Sequence, residues 1–194
     1  AALSDRMQKD LETISSLSKK TGPDLSFRLT DPPAILADLQ TQMSGDFPVL
    51  SEASKKYEIR YVPAQLESTL SPAFYLTAPL DDPTRNVIYI NNGSTSAKDE
   101  LYPTLAHEGF PGHLYQTVYS SLVCDTQTLP IRKLFSYGGY VEGWAYYTER
   151  ISYEYAAQVL AEAEGSLGSS YPAALLCTLL AQQRDLQINL FCLL

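Results

Sequence analysis

Apolar residues recur at Leu3, Met7, Leu11, Ile14 and Leu17, three or four positions apart. That spacing predicts an amphipathic helix over residues 2–20, ended by Thr21, Gly22 and Pro23. Asp31 suits the N-cap of a second helix, with Pro32 and Pro33 in its first turn. This helix is expected to run to about Met43 and to stop at Ser44-Gly45. The period then shortens from helical to alternating. Residues 57–63 (YEIRYVP), 73–77 (AFYLT) and 86–90 (NVIYI) read as three short strands, the last two forming a hairpin through the turn residues Asp81, Asp82 and Pro83. From about Asp99 the pattern is helical again: one helix over 100–122, a long one from 134 to about 164, a polar break at 165–170 (GSLGSS), and a last helix from about Tyr171. The whole predicts a mainly α fold with a small β-sheet (α+β), in one domain over 1–194.

Composition narrows the function classes. The chain has 194 residues, 45% of them hydrophobic, enough for a real core. A net charge of -8 argues against nucleic acid, which needs a basic surface, and against an electrostatic grip on anionic lipid. No apolar run approaches the ~20 residues of a transmembrane segment. Cys124, Cys177 and Cys192 lack CxxC spacing, so a thiolate zinc site is not expected and free thiols are.

The candidate chemistry sits in one window. Both histidines of the chain fall in His107-Glu108-Gly109-Phe110-Pro111-Gly112-His113. Imidazole is the commonest zinc ligand, and a glutamate beside the first histidine is the arrangement of HExxH metallopeptidases. Here the spacing is HExxPGH. Residues four apart on a helix differ by ~40° and share a face, whereas residues six apart differ by ~240° and do not. Pro111 cannot donate back to the His107 carbonyl, and Gly112 is free to adopt backbone conformations closed to other residues. Pro-Gly is therefore expected to kink the helix and bring His113 back beside His107.

A third ligand is expected from 137–149 (YGGYVEGWAYYTE). Glu142 and Glu149, seven apart, lie on one helical face. Glu142 is the expected ligand, with Gly138, Gly139 and Gly143 allowing close approach of another helix or a metal. Glu149 is expected to accept from the far nitrogen of a ligand imidazole. Tyr140 and Tyr146 are the phenols nearest Glu142 along the chain and are candidates to stabilise an oxyanion. Trp144, on the opposite face from Glu142, is expected in the core, as are Phe110 and Leu114. Residues 86–90 are expected at the sheet edge beside the metal helix, where an extended substrate can be held by main-chain hydrogen bonds.

At these residues the sequence resembles the bacterial "domain of unknown function 885" family, a group of gluzincin-type zinc peptidases. HEGFPGH (107–113) preceded by LYPTLA, YGGYVEGWAYYTE (137–149) and SPAFYLTAPLDDPTRNVIYIN (71–91) carry the resemblance, which runs from about Tyr57 onward. It implies a zincin-like metal helix packed beside a short sheet. His107 and His113 match the family's two histidines, Glu108 its base, and Glu142 resembles the glutamate that completes the zinc site in gluzincin aminopeptidases. It also implies that this stretch is the catalytic-domain fragment of a longer protein. Family members continue past the point matching LFCLL into D-x-G-I-H-x-x-G-W, with a further histidine; if that histidine helps bind the transition state, this fragment binds zinc and is still inactive. Related proteins often carry export signals, which implies an extracytoplasmic place. The expectation is zinc-dependent peptide hydrolysis with Glu108 as general base and a peptide as partner. A metallohydrolase of other amides or esters, and an inactive binding module that keeps the metal scaffold, are the alternatives.

Overall fold

In the computed structural model the described residues are 31–124 (except 53, 80, 81, 83 and 94–96), 135, 137–167 and 180–189, with positions 5, 6, 8, 9, 12, 13 and 16. Those isolated early positions are helical, while Leu3, Met7, Leu11, Ile14 and Leu17, like Asp81 and Pro83, lie outside the described residues. The chain divides into two compact units, residues 29–149 and residues 1–28 with 150–194.

The unit of residues 29–149 opens with α1 (Pro32–Gln42). The Asp31 carboxylate accepts from the Ala34 amide (3.2 Å), and the two prolines occupy the first turn, as expected. Ile35, Leu36 and Leu39 lie on one stripe and are fully buried, each contributing roughly 1.5–3 kcal/mol of apolar burial. A single 3-10 turn, Met43–Gly45, ends the helix.

Three strands follow: β1 (Glu58–Tyr61), β2 (Ala73–Leu76) and β3 (Val87–Ile90). β2 and β3 are antiparallel, with Ala73 opposite Ile90 and Leu76 opposite Val87, which is the expected hairpin. β1 runs parallel to β3, so the order is β1-β3-β2. β3 is therefore central, not the sheet edge that its sequence suggested. The reason is visible in its composition: Val87, Ile88 and Ile90 are all buried, whereas β1 and β2 each expose residues to solvent. Phe74 and Tyr89 stack across the pair, centroids 5.1 Å apart. Asn86, almost wholly buried, accepts from the Tyr75 hydroxyl (2.7 Å) and donates to the Lys56 carbonyl (3.3 Å), tying the strand ends together.

The expected single helix over 100–122 is two helices. α2 (Ala97–Glu108) ends at the HE pair, and α3 (His113–Cys124) starts at the second histidine. The four residues between them, Gly-Phe-Pro-Gly, form a turn with a cis Phe110-Pro111 bond. Proline and close glycines break the helix where a mere kink was expected. Phe110 and Leu114 are buried, which anchors the turn as expected. α2 packs against α1 and β2.

α4 (Gly138–Leu167) begins four residues later than expected and continues helical through Gly165 and Ser166, where a polar break was expected. Its first twelve residues belong to the unit of residues 29–149. In the other unit its second half carries buried Ser152, Tyr155 and Ala156, and Arg150 pairs with Asp185 (3.1 Å) of the helical segment 180–189. Among the described residues no helix is long and apolar enough to cross a membrane. The molecule is mainly helical with a small mixed sheet, as the pattern predicted.

Candidate metal centre

The site is assembled from three chain segments that the turn draws together. His107 occupies the last turn of α2, and His113 opens α3. The Gly-Phe-Pro-Gly turn sets their rings 4.7 Å apart, edge to face at 89°. Gly112 makes this possible by its size. A Cβ there would stand 1.8 Å from the His107 carbonyl oxygen and 2.3 Å from that of Ala106. Its φ lies outside the left-handed region, so glycine is needed here for close approach and not for a forbidden dihedral. Gly109 is similarly crowded, its absent Cβ lying 2.6 Å from Leu36 Cδ2 and 3.2 Å from Ile88 Cδ1.

The third side chain comes from α4. Glu142 places its Oε2 3.7 Å from His107 Nε2 and its Oε1 3.6 Å from His113 Nε2. One ligand atom from each of the three residues lies within 4.8 Å of the other two. Zinc bonds of 2.0–2.1 Å in a tetrahedron separate ligand atoms by about 3.3–3.4 Å. The three residues thus fit a zinc ion with shifts of about an ångström or less, and two imidazoles with one carboxylate form a common set for catalytic zinc. Glu142 is 66% exposed at its side chain, so this corner is open to solvent. Among the described residues nothing comes within 4 Å of a Cβ built at Gly138, Gly139 or Gly143. No other helix among the described residues packs closely on these glycines, and the flank of Glu142 is left open.

Glu149, two turns on from Glu142, is buried and lies 3.3 Å from His107 Nδ1. A carboxylate only accepts, so Nδ1 carries the hydrogen and the Nε2 lone pair is turned toward Glu142. This is the tautomer a metal requires. His113 Nδ1 is buried without a hydrogen-bond partner among the described residues. Glu108 lies beside the three, its Oε1 3.9 Å from His107 Nε2. Its other oxygen accepts from the Tyr75 amide at 2.8 Å. In the ladder Tyr75 faces Ile88, yet its amide points away from β3, so the outer edge of β2 fixes the rotamer of Glu108.

Charge and burial set the titration of the metal-free site. Burial raises Glu108 above the usual carboxylate range, with Glu142 and Glu149 adding to it against the pull of the Tyr75 amide and His107. At His107 burial favours the neutral ring, but the Glu149 hydrogen bond and the charges of Glu108, Glu149 and Glu142 outweigh it and raise the pKa. His113 is lowered by burial and by His107, against Glu142.

The two tyrosines part ways. Tyr146 is one turn from Glu142, about 40° around the helix, with its hydroxyl buried. Tyr140 is about 160° away and 65% exposed, on the far side of α4 from Glu142. Trp144 is half-buried among aromatics: it stacks at 6.4 Å on Tyr115 and meets Phe47 edge-on at 5.8 Å. Its indole N–H donates to the Pro111 carbonyl (2.8 Å). Two contributions escaped the sequence reading. The Tyr75 amide leaves no side-chain signal at all. The indole bond had one faint signal, a lone tryptophan two residues after the candidate ligand.

Comparisons with known proteins agree with this picture at the level of fold. The chain is similar to a solved protein described as "the putative lipoprotein from Colwellia psychrerythraea", at 20% sequence identity and a TM-score of 0.61. The likeness covers 93% of this chain and 33% of that one, so the chain spans a third of that protein's length. No curated protein is matched. Residues 25–169, which hold the strands, the HExxPGH turn and Glu142, match the family described as bacterial protein of unknown function, DUF885. The chain belongs to the DUF885 family.

Proposed function

We propose that this chain carries the zinc site of a peptidase, with His107, His113 and Glu142 as ligands and Glu108 as general base. The observation that carries the reading is the convergence of one nitrogen from each imidazole and one carboxylate oxygen within 4.8 Å, with the half-buried Glu108 carboxylate alongside. Zinc, when bound in such a site, acts as a Lewis acid on the scissile carbonyl and makes water acidic enough to be deprotonated near neutral pH.

The remaining work falls to the chain. Glu108, held at Oε2 by the Tyr75 amide, has Oε1 free to take a proton from the attacking water and pass it to the leaving amine. Glu149 keeps His107 in the ligating tautomer. Of the two candidate phenols we assign the oxyanion role to Tyr146, about 40° around α4 from Glu142.

Glu108→Gln in the full-length protein tests the reading. The variant should retain stoichiometric zinc and lose about 10²–10⁴-fold in peptide cleavage. Cleavage at the parent rate removes Glu108 as the base. Peptides left intact while small amides or esters are hydrolysed would keep the metal chemistry and discard the peptide substrate.

A further inference from the structure

The metal-binding reading leaves one coupling unexplained: what fixes α4, which brings Glu142, against the turn that presents His113. Glu142 is 66% exposed and its flanking glycines pack on nothing described, so the ligand's own neighbourhood does not hold it. The connection lies two residues further on. Trp144 Nε1 donates to the carbonyl of Pro111 at 2.8 Å, and Pro111 is two residues before His113. Pro111 is fully buried, so its carbonyl needs a protein donor. The backbone amides that open α3 go elsewhere, Tyr115 to Gly109 and Gln116 to Gly112. The indole ring is itself held by Phe47 edge-on and by Tyr115 stacked, which fix the direction of its N–H, while exposed Tyr147 lies tilted at its margin.

We infer that Trp144 is a positioning residue for the metal centre: its N–H latches the α4 ligand to the turn that carries the second histidine, and sets their separation. The link runs Glu142–Trp144–Pro111–His113, a short path joining two of the three ligands through the protein. Losing the hydrogen bond while keeping the ring widens the ligand separation without removing a ligand.

The inference rests on the metal reading, and its test keeps the two apart. Zinc affinity of the 194-residue chain is measured by competition with a chromophoric chelator, beside the visible spectrum of the Co²⁺-loaded protein. Two replacements remove the N–H, Trp144→Phe and Trp144→benzothienylalanine. The second preserves the bicyclic shape, so it gives a result even where phenylalanine disturbs the fold. Tyr147→Ala is the control, since it loosens the aromatic packing of Trp144 and leaves the hydrogen bond. Expected is roughly tenfold weaker zinc binding for both Trp144 variants, in the range of outer hydrogen-bond partners of metal ligands, with an altered Co²⁺ spectrum. Tyr147→Ala should match the parent in both. Parent-like affinity and Co²⁺ spectrum with benzothienylalanine at position 144 would overturn the inference, as would equal weakening by Tyr147→Ala. A parent chain that binds no zinc would overturn the metal reading first and the inference with it.

Discussion

Adding one methyl at Gly112 tests how the long histidine spacing is made. The new Cβ in Gly112→Ala would stand 1.8 Å from the His107 carbonyl oxygen and 2.3 Å from the Ala106 oxygen, against 3.4–4 Å for ordinary contact. Both obstacles are backbone atoms, so no side chain can swing aside. The turn must move by more than about an ångström, and such overpacking costs typically ~1–3 kcal/mol, here at the upper end of that range. With an m-value of ~2 kcal/mol/M in urea, ~3 kcal/mol lowers the unfolding midpoint by roughly 1.5 M. Trp144 is the only tryptophan, and it belongs to the unit of residues 29–149, so its fluorescence follows that unit. Gly143→Ala is the matched control, the same chemical change at a helix position with open space around it. There alanine's helix propensity favours the variant by ~1 kcal/mol. The same clash displaces His113 relative to His107, so zinc affinity should fall more than about tenfold in Gly112→Ala. If Gly112→Ala and Gly143→Ala unfold at the same urea concentration, close approach is not why glycine stands at 112.

Two further outcomes follow from the electrostatics. Glu149→Gln retains an oxygen opposite His107 Nδ1 but removes the charge, so chelator competition should show zinc binding weakened about 10-fold; unchanged affinity would separate Glu149 from the site. Metal binding needs neutral imidazoles, so protons compete with it. His107 is raised above its usual value in the metal-free protein and His113 lowered, so as pH falls affinity should decline first through His107, beginning above pH 6.5, and steepen only below that value as His113 protonates. Zinc titrations across pH 5 to 8 that show no decline until well below 6.5 would contradict the assigned environment of His107.

What was legible in the sequence follows from how each feature is encoded. Side-chain period reported α1, whose Ile35, Leu36 and Leu39 share one buried stripe, while the strands were legible as short β-branched and aromatic runs set off by turn residues, since their burial does not alternate. The HE pair and its second histidine stood out because both histidines of the chain fall in one seven-residue window, and the structure brings Glu142 to them. Strand order was not, since β3 became central through the parallel pairing of β1, a contact separated by nearly thirty residues and written in no local pattern. Tyr140 and Tyr146 looked equivalent by distance along the chain. They separate only when the helix is built, because two residues of offset turn a side chain to the far face and four bring it back. The role of Gly112 was half legible: glycine was needed, but for space instead of dihedral freedom, a distinction that requires the neighbouring carbonyls.

The broken helix changes what the site depends on. In an HExxH helix two ligands share one rigid rod, and their separation is set by helical geometry alone. Here one histidine ends α2, the other begins α3, and the carboxylate arrives from α4. Their mutual distance is therefore set by tertiary contacts: the carbonyls that crowd Gly112, Gly109 seated on Leu36 and Ile88, and the indole bond to Pro111. Packed contacts of this kind are discrete, so a change in any of them moves a ligand by a step and not by a small drift. On the proposed reading, a site so built is tuned from outside its ligand set, and residues that never reach the metal would govern its affinity. By that logic the sensitive positions of the motif are its two glycines and its proline as much as its two histidines.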